Sequence, residues 1–292
     1  MALIYGTLAS DWLFGTPESD QIYSLAGDDT IYAGDGDNYI VSHYRFEANK
    51  DTIYAGSGND QIFTGIGDDL IYGGEGNNYI VADSYYLASG NDTIYTGAGN
   101  DYINAVNGDN LVFAGEGNNT VFAGFGNDTV YTGAGNDYIS TGGGNDTIYA
   151  GEGNNEVNGG DGNNTIYTGA GNDKITTGSG NDLVYAGEGV NTIKTGAGND
   201  IIYSGSGNDY IDAGTGSNTI WLGGGQDTLA LQFQGFSIIN NFNISQTKID
   251  LGGIDPRGVA LVQQGNNTLI TLPHLAILAQ LTSVDINAVA AN

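Results

Sequence analysis

An aspartate or asparagine recurs every nine residues along most of this chain. The aspartates of this column are Asp11, Asp20, Asp29, Asp51, Asp60, Asp69, Asp92, Asp101, Asp128, Asp137, Asp146, Asp173, Asp182, Asp200, Asp209 and Asp227. Asparagine takes the position at Asn38, Asn78, Asn110, Asn119, Asn155, Asn164, Asn191 and Asn218. The 24 positions slip off the grid twice, by four residues before Asp51 and by five before Asp92. Carboxylates at fixed spacing, set in glycine-rich turns with many carbonyls, suit a hard cation with oxygen ligands, which is calcium. Thiolate chemistry is excluded, because the chain has no cysteine.

The elements that must position these carboxylates follow from the rest of the period. Two residues after every column position stands Leu, Ile or Val. A typical unit is Thr132-Gly133-Ala134-Gly135-Asn136-Asp137-Tyr138-Ile139-Ser140. Glycine and asparagine tolerate left-handed backbone angles, so the first part turns tightly. The last three residues read as a short strand whose middle aliphatic points inward. Nine residues cannot close a core, so the units must stack into a solenoid. One unit runs across and the next runs back, giving coils of 18 residues, about 12 of them. Two aliphatics per coil at ~2 kcal/mol each offset only part of the backbone entropy, ~1–2 kcal/mol per residue. Something else must tie the loops, and a bound cation meets that need.

The unit resembles the repeats-in-toxin (RTX) nonapeptide, Gly-Gly-x-Gly-x-Asp-x-U-x. The openings Gly6-Thr7…Asp11 and Gly15-Thr16…Asp20 resemble degenerate entry repeats of that family. The likeness covers about residues 6 to 231. It implies an all-β parallel β-roll with several Ca2+ ions between loops of adjacent coils on one edge, held by Asp carboxylates and loop carbonyls. It also implies secretion by a one-step (type I) route, unfolded in low calcium and folding outside. One departure is that the first family glycine is usually Ala, Thr or Ser here, as at Ala55, Thr96 and Thr132.

Where the column is Asn, an acid stands three residues earlier in six of eight units: Asp35, Glu75, Glu116, Glu152, Asp161 and Glu188. No Asp unit has one. These acids, with Asn38, Asn78, Asn119, Asn155 and Asn191, are candidates for a second class of calcium site. A row of outward acids between molecules, or mere duplication of a 36-residue block, explains the pattern as well.

One residue past the buried aliphatic, alternate units carry Phe14, Tyr32, Tyr54, Tyr72, Tyr95, Phe113, Tyr131, Tyr149, Tyr167, Tyr185, Tyr203 and Trp221. The intervening units carry Tyr23, Val41, Phe63, Val81, Asn104, Phe122, Ser140, Asn158, Thr176, Lys194, Asp212 and Ala230. The aromatic row is expected on one face and a face that turns polar toward the C-terminus on the other. Stacked rings stabilise adjacent strands; an exposed apolar stripe also marks an interaction surface. The extra residues near His43–Phe46 and Ser84–Leu87 read as surface insertions or a binding bulge.

With Met-Ala-Leu-Ile-Tyr before Gly6, the first coil is expected to lack a cap and to present an open edge. The repeat occupies residues 1–231. Residues 232–292 read as a β-rich cap and export signal, with strands at Phe236–Ile239 and Lys248–Leu251 and a hairpin turning near Gly265-Asn266.

Charge narrows the partners. There are 34 acidic and 6 basic residues, a net charge of −28. That opposes nucleic acid and anionic membranes. No apolar run is long enough to span a bilayer, and the start lacks the parts of a secretory signal peptide. The two histidines, His43 and His274, are far apart, and no zinc-protease, nucleophile-elbow or phosphate-loop motif occurs. No enzyme is expected. The expectation is a secreted, calcium-folded structural protein that self-assembles into a fibre, sheath or surface layer. The alternative is a calcium-dependent adhesin that binds polysaccharide through the aromatic row.

Overall fold

The computed structural model describes residues 1–43, 48–83, 89–272 and 276–285. Each column residue is followed by a short strand, as at Thr30–Tyr32, Thr52–Tyr54 and Thr147–Tyr149. The middle residue of each of these, Ile31, Ile53 and Ile148, is fully buried. Strands alternate between two parallel sheets, and each pairs with the strand one coil on. Thus Leu111 pairs with Thr129 and Val112 with Val130. Across the insertions Thr30 pairs with Thr52 and Leu70 with Thr93. The additional residues are absorbed between strands, because a one-residue slip would turn every aliphatic outward. Most of the insertion residues, and His274, lie outside the described residues.

The chain divides into two units, residues 1–152 and 153–292. In the first, one sheet runs from Leu3–Tyr5 to Tyr138–Ser140 and the other from Trp12–Phe14 to Thr147–Tyr149. In the second, one sheet runs from Glu156–Gly160 to Lys248–Asp250. Its other sheet starts at Thr165–Tyr167 and continues through Gly235–Asn240 into three tail strands. Both units are parallel β-roll, the architecture the repeat demands.

The tail changes direction rather than stopping. Gly235–Asn240 still pairs parallel with Gly216–Trp221. Ala260–Gln264 and Asn267–Leu272 form the antiparallel hairpin around Gly265–Asn266. Ala276–Leu281 joins that hairpin to Gly235–Asn240. Leu269, Ile270, Leu278 and Leu281 are buried there. At the other end, residues 3–5 are themselves a strand, with Ile4 paired to Ile22. The aliphatic row therefore begins before the acidic grid does.

One glycine shows how tightly the loops stack. Gly124 has φ +94°, and an added Cβ would lie 1.2 Å from the Val106 carbonyl oxygen. Only glycine leaves room for that approach.

The predicted aromatic row is continuous within each unit. Ring centroids are 4.8 Å apart for Tyr32 and Tyr54, 4.7 Å for Tyr131 and Tyr149, and 4.6 Å for Tyr185 and Tyr203. The planes of these pairs lie within 3° of parallel. The expected contrast between faces holds only in the second unit. In the first, Tyr39, Tyr79 and Tyr102 fill the gaps between Tyr23, Phe63 and Phe122, and Tyr138 extends the row beyond Phe122. The result is a zigzag of rings 4.7 to 6.0 Å apart on the opposite sheet. These tyrosines occupy the first strand position, whereas Tyr23, Phe63 and Phe122 occupy the third.

Candidate metal centre

The column side chains are buried at the junction of loop and strand. Asp60 is 0% exposed, Asp128 1% and Asp182 2%. Each turns one oxygen toward the preceding coil on its own edge. There Oδ1 accepts the backbone N–H of that coil's column residue. On one edge Asp29 donates to Asp51 at 2.8 Å, Asp51 to Asp69 at 2.8 Å and Asp69 to Asp92 at 2.9 Å. On the other, Asn38 donates to Asp60 at 2.8 Å, Asp60 to Asn78 at 3.0 Å and Asn78 to Asp101 at 2.7 Å. Asp137, Asp146, Asp173 and Asp227 accept in the same way. The nine-residue grid thus becomes two inner ladders.

The second oxygen is the chemically telling one. Oδ2 of Asp29, Asp60, Asp69, Asp92, Asp101, Asp128, Asp182, Asp200 and Asp209 is buried without a hydrogen-bond partner. A buried, unsatisfied acceptor costs about 1–3 kcal/mol, and more when charged. Burial accordingly pushes these carboxyls up, Asp60, Asp200 and Asp209 to about 6 and Asp128 to about 7, and it pushes Asp51 on the same ladder to about 7 as well. Asp69 reaches about 8 through burial and the neighbouring charge of Asp51. Asp92 reaches about 9 through burial and the charge of Asp69. This edge is worst because Asp51, Asp69 and Asp92 follow one another, whereas Asp60 stands between Asn38 and Asn78.

Buried carboxylate oxygens without a hydrogen-bond partner fit a bound cation. The residues that would hold it are these aspartates and the carbonyls of their loops. Among the described residues no three acidic or histidine side chains converge on one point, so backbone carbonyls must supply part of the oxygen set. Calcium bound there would supply the positive charge these oxygens lack.

Asp11 and Asp20 are placed differently. Oδ2 of Asp11 accepts from Thr7 N at 2.5 Å and Thr7 Oγ1 at 2.9 Å. Oδ2 of Asp20 accepts from Thr16 N at 2.6 Å and Oγ1 at 2.8 Å. Burial raises the Asp20 carboxyl, but the N–H groups of Ala2 and Thr16 and the Thr16 hydroxyl outweigh it and hold it below the usual range.

Asn38, Asn78, Asn119, Asn155 and Asn191 lie in the same buried ladders. The acids Asp35, Glu75, Glu116, Glu152, Asp161 and Glu188 do not; all six are exposed on the loops. Glu75 accepts the N–H of Ala98 and Glu116 that of Ala134, both at 2.9 Å. Asp161 accepts the N–H of Ser179 at 2.8 Å, and Asp35 the hydroxyl of Ser57 at 2.7 Å. These four acids tie neighbouring loops from outside.

Two features escaped sequence reasoning. The residue just before the column forms an outer ladder. Asn77 N donates to Asn59 Oδ1 at 2.8 Å, Asn100 N to Asn77 at 2.6 Å and Asn118 N to Asn100 at 2.7 Å. Its signal was visible as the frequent Asn before Asp or Asn. The other is Asp83, off the grid and 1% exposed, with both carboxylate oxygens unpartnered. Burial pushes it to about 7. It replaces a loop glycine beside an insertion, where no periodicity points to it.

The model of the RTX calcium-binding nonapeptide repeat matches residues 5–40, 48–80 and, in overlapping segments, 82–229. The chain belongs to this family. No curated protein matches it. Its buried aspartate ladders lie within these matched calcium-binding repeats. RTX repeats are typical of secreted proteins, and no helix among the described residues is long and apolar enough to cross a membrane.

Proposed function

We propose that this RTX protein is a secreted structural protein that folds when calcium closes its loops and then assembles with copies of itself. The observation that carries the calcium part is the row of buried Oδ2 atoms without donors. Such a row is tolerable only when a cation or protons neutralise it. A chain of net charge −28 stays expanded where calcium is scarce, which suits export unfolded by a type I route and folding outside.

The aromatic row supports assembly over adhesion. Its rings stack face to face, so they present edges and hydroxyls outward. A polysaccharide platform needs ring faces, and here the faces cover one another. Burying such a stripe against a second copy removes apolar area from water, at about 25 cal/mol per Å² before association costs. Electron microscopy of the purified, calcium-loaded chain tests this. Filaments or sheets that dissolve in chelator are expected. A monomer retained on a glycan column would favour the adhesin reading, and a monomer that binds nothing would overturn both.

A further inference from the structure

The column residues close their loops in two chemically different ways. At Asp units such as Asp60, Asp101 and Asp128 the second terminal atom is a buried acceptor with no hydrogen-bond partner. At Asn units it is a donor. Asn119 Nδ2 donates to the carbonyls of Gly115 and Gly117, both at 3.2 Å. Asn164 Nδ2 reaches Gly160 and Gly162, again at 3.2 Å. Asn38 Nδ2 adds a carbonyl of the next coil, Ala55, to those of Gly34 and Gly36. All eight column asparagines donate to loop carbonyls in this manner. The amide orientation is not arbitrary. The other terminal atom accepts a backbone N–H, as Asn119 Oδ1 does from Asp101 at 3.0 Å, so it must be the oxygen.

A second pattern separates the same two classes. Five residues before the column, all eight Asn units carry Ala or Gly, such as Ala114 before Asn119 and Gly159 before Asn164. Nine of the sixteen Asp units carry Ser or Thr there, such as Thr96 before Asp101 and Thr195 before Asp200. Thr96 Oγ1 gives its proton to the Ala114 carbonyl at 2.8 Å, which leaves its lone pairs to the site. Hydroxyl oxygen accompanies the carboxylate and never the amide. A loop meant for a hard cation gains from the extra oxygen, and a loop closed by an amide does not.

We propose that the Asn units take no calcium: the side-chain amide sits among the loop carbonyls as a built-in substitute for the ion. Asp11 and Asp20 belong to the same ion-free group, because threonine N–H and O–H donors satisfy their second oxygens. Calcium is then confined to the Asp units with an open Oδ2. On the edge that carries Asp60, Asn78, Asp101 and Asn119, ion-closed and amide-closed loops alternate. That spaces the ions two coils apart and lowers the amount of calcium needed to complete the roll.

The inference rests on the calcium reading of the Asp loops, and the experiment separates the two. Bound calcium per chain is counted by native mass spectrometry for the full chain, for Asn119→Asp and for Asp60→Asn. Asp60 is chosen because Ala55 already stands five residues before it, as in an Asn unit. Asn119→Asp is expected to bind one ion more than the parent and to need several-fold more calcium to fold. Asp60→Asn is expected to bind one ion fewer and to hold its strand signal at lower calcium. An unchanged count in the two folded variants, or a parent count above the number of Asp units other than Asp11 and Asp20, overturns the proposal. Should Asn119→Asp fail to fold, the Asp60→Asn count decides alone. A parent that folds without binding calcium overturns the calcium reading. Asp60→Asn must then still raise the thermal midpoint, since an amide donor relieves an unsatisfied oxygen; no rise sinks the substitute role as well.

Discussion

Each column side chain has two terminal atoms with separate duties. Oδ1 caps a backbone N–H of the preceding coil; the second atom donates to loop carbonyls in the asparagines and is a buried, unpartnered acceptor in aspartates such as Asp60 and Asp128. Replacing Asp128 with Ala removes the acceptor for Asn110 N, at 2.8 Å, and an open Oδ2 together. Losing a hydrogen bond to a charged group costs about 1.5–3 kcal/mol. The calcium midpoint of folding, followed by circular dichroism, should rise roughly tenfold; an unchanged midpoint would remove Asp128 from the ligand set. Glu116 offers the contrast. It lies on the outside and accepts one exposed N–H, so Glu116→Ala should leave the ion count unaltered and cost less than about 1 kcal/mol. A lost ion would restore the relocated acid as a ligand. Ile148→Ala should cost about 2–4 kcal/mol in urea unfolding with calcium present, since Ile148 is fully buried in a core only two aliphatics wide per coil.

At the scale of elements, each strand is too short to hold register alone, so stacked rows do it. The aliphatic row, the two Oδ1 ladders, the outer Asn ladder and the ring rows all repeat at one coil. Each stacked ring pair adds about 0.5–1.5 kcal/mol beyond its buried area. The second unit lets the aromatic row be tested cleanly, because its other sheet is polar, with Asn158, Thr176 and the Lys174–Glu156 ion pair at 2.6 Å. Changing Tyr167, Tyr185 and Tyr203 together to Ser should preserve calcium-dependent strand formation, since Ile166, Val184 and Ile202 stay buried. It should abolish assembly seen by light scattering. Changing Asn158 and Thr176 to Ala should not. Equal loss in both variants, or in neither, would show that the ring row is not the determinant.

At the scale of the whole molecule, the ladders make folding answer to both calcium and protons. A carboxyl with a raised folded pKa binds its proton more tightly folded than unfolded. The calcium-free roll is therefore favoured below about pH 4. It loses stability as pH rises through about 6 for Asp60, about 7 for Asp128, about 8 for Asp69 and about 9 for Asp92. In chelator, strand content and urea midpoint should be higher at pH 5 than at pH 8. Calcium should reverse the trend, because the loops bind it as carboxylates. A chelated protein equally stable at both pH values would mean that the buried carboxyls are relieved in some other way.

The sequence alone determined the solenoid, its 18-residue coil, the inward Leu, Ile and Val and the acidic column, because periodicity is a local property that stacking must obey. It also showed the hairpin at Gly265–Asn266, whose turn residues announce it. It did not separate the two atoms of each column side chain. Whether Asp60 and Asn78 are equivalent depends on which groups of the adjacent coil face them, and those lie 18 or more residues away. The zigzag of Tyr39, Tyr79 and Tyr102 was hidden for the same reason: residues two apart on one strand meet rings from neighbouring strands only after the sheet forms. Asp83 carried no periodic signal at all. Its burial arises because loops stack closely enough that even a residue beside an insertion is covered. Spacing decided which residues could bind a cation; packing between coils decided which oxygens remain in need of one.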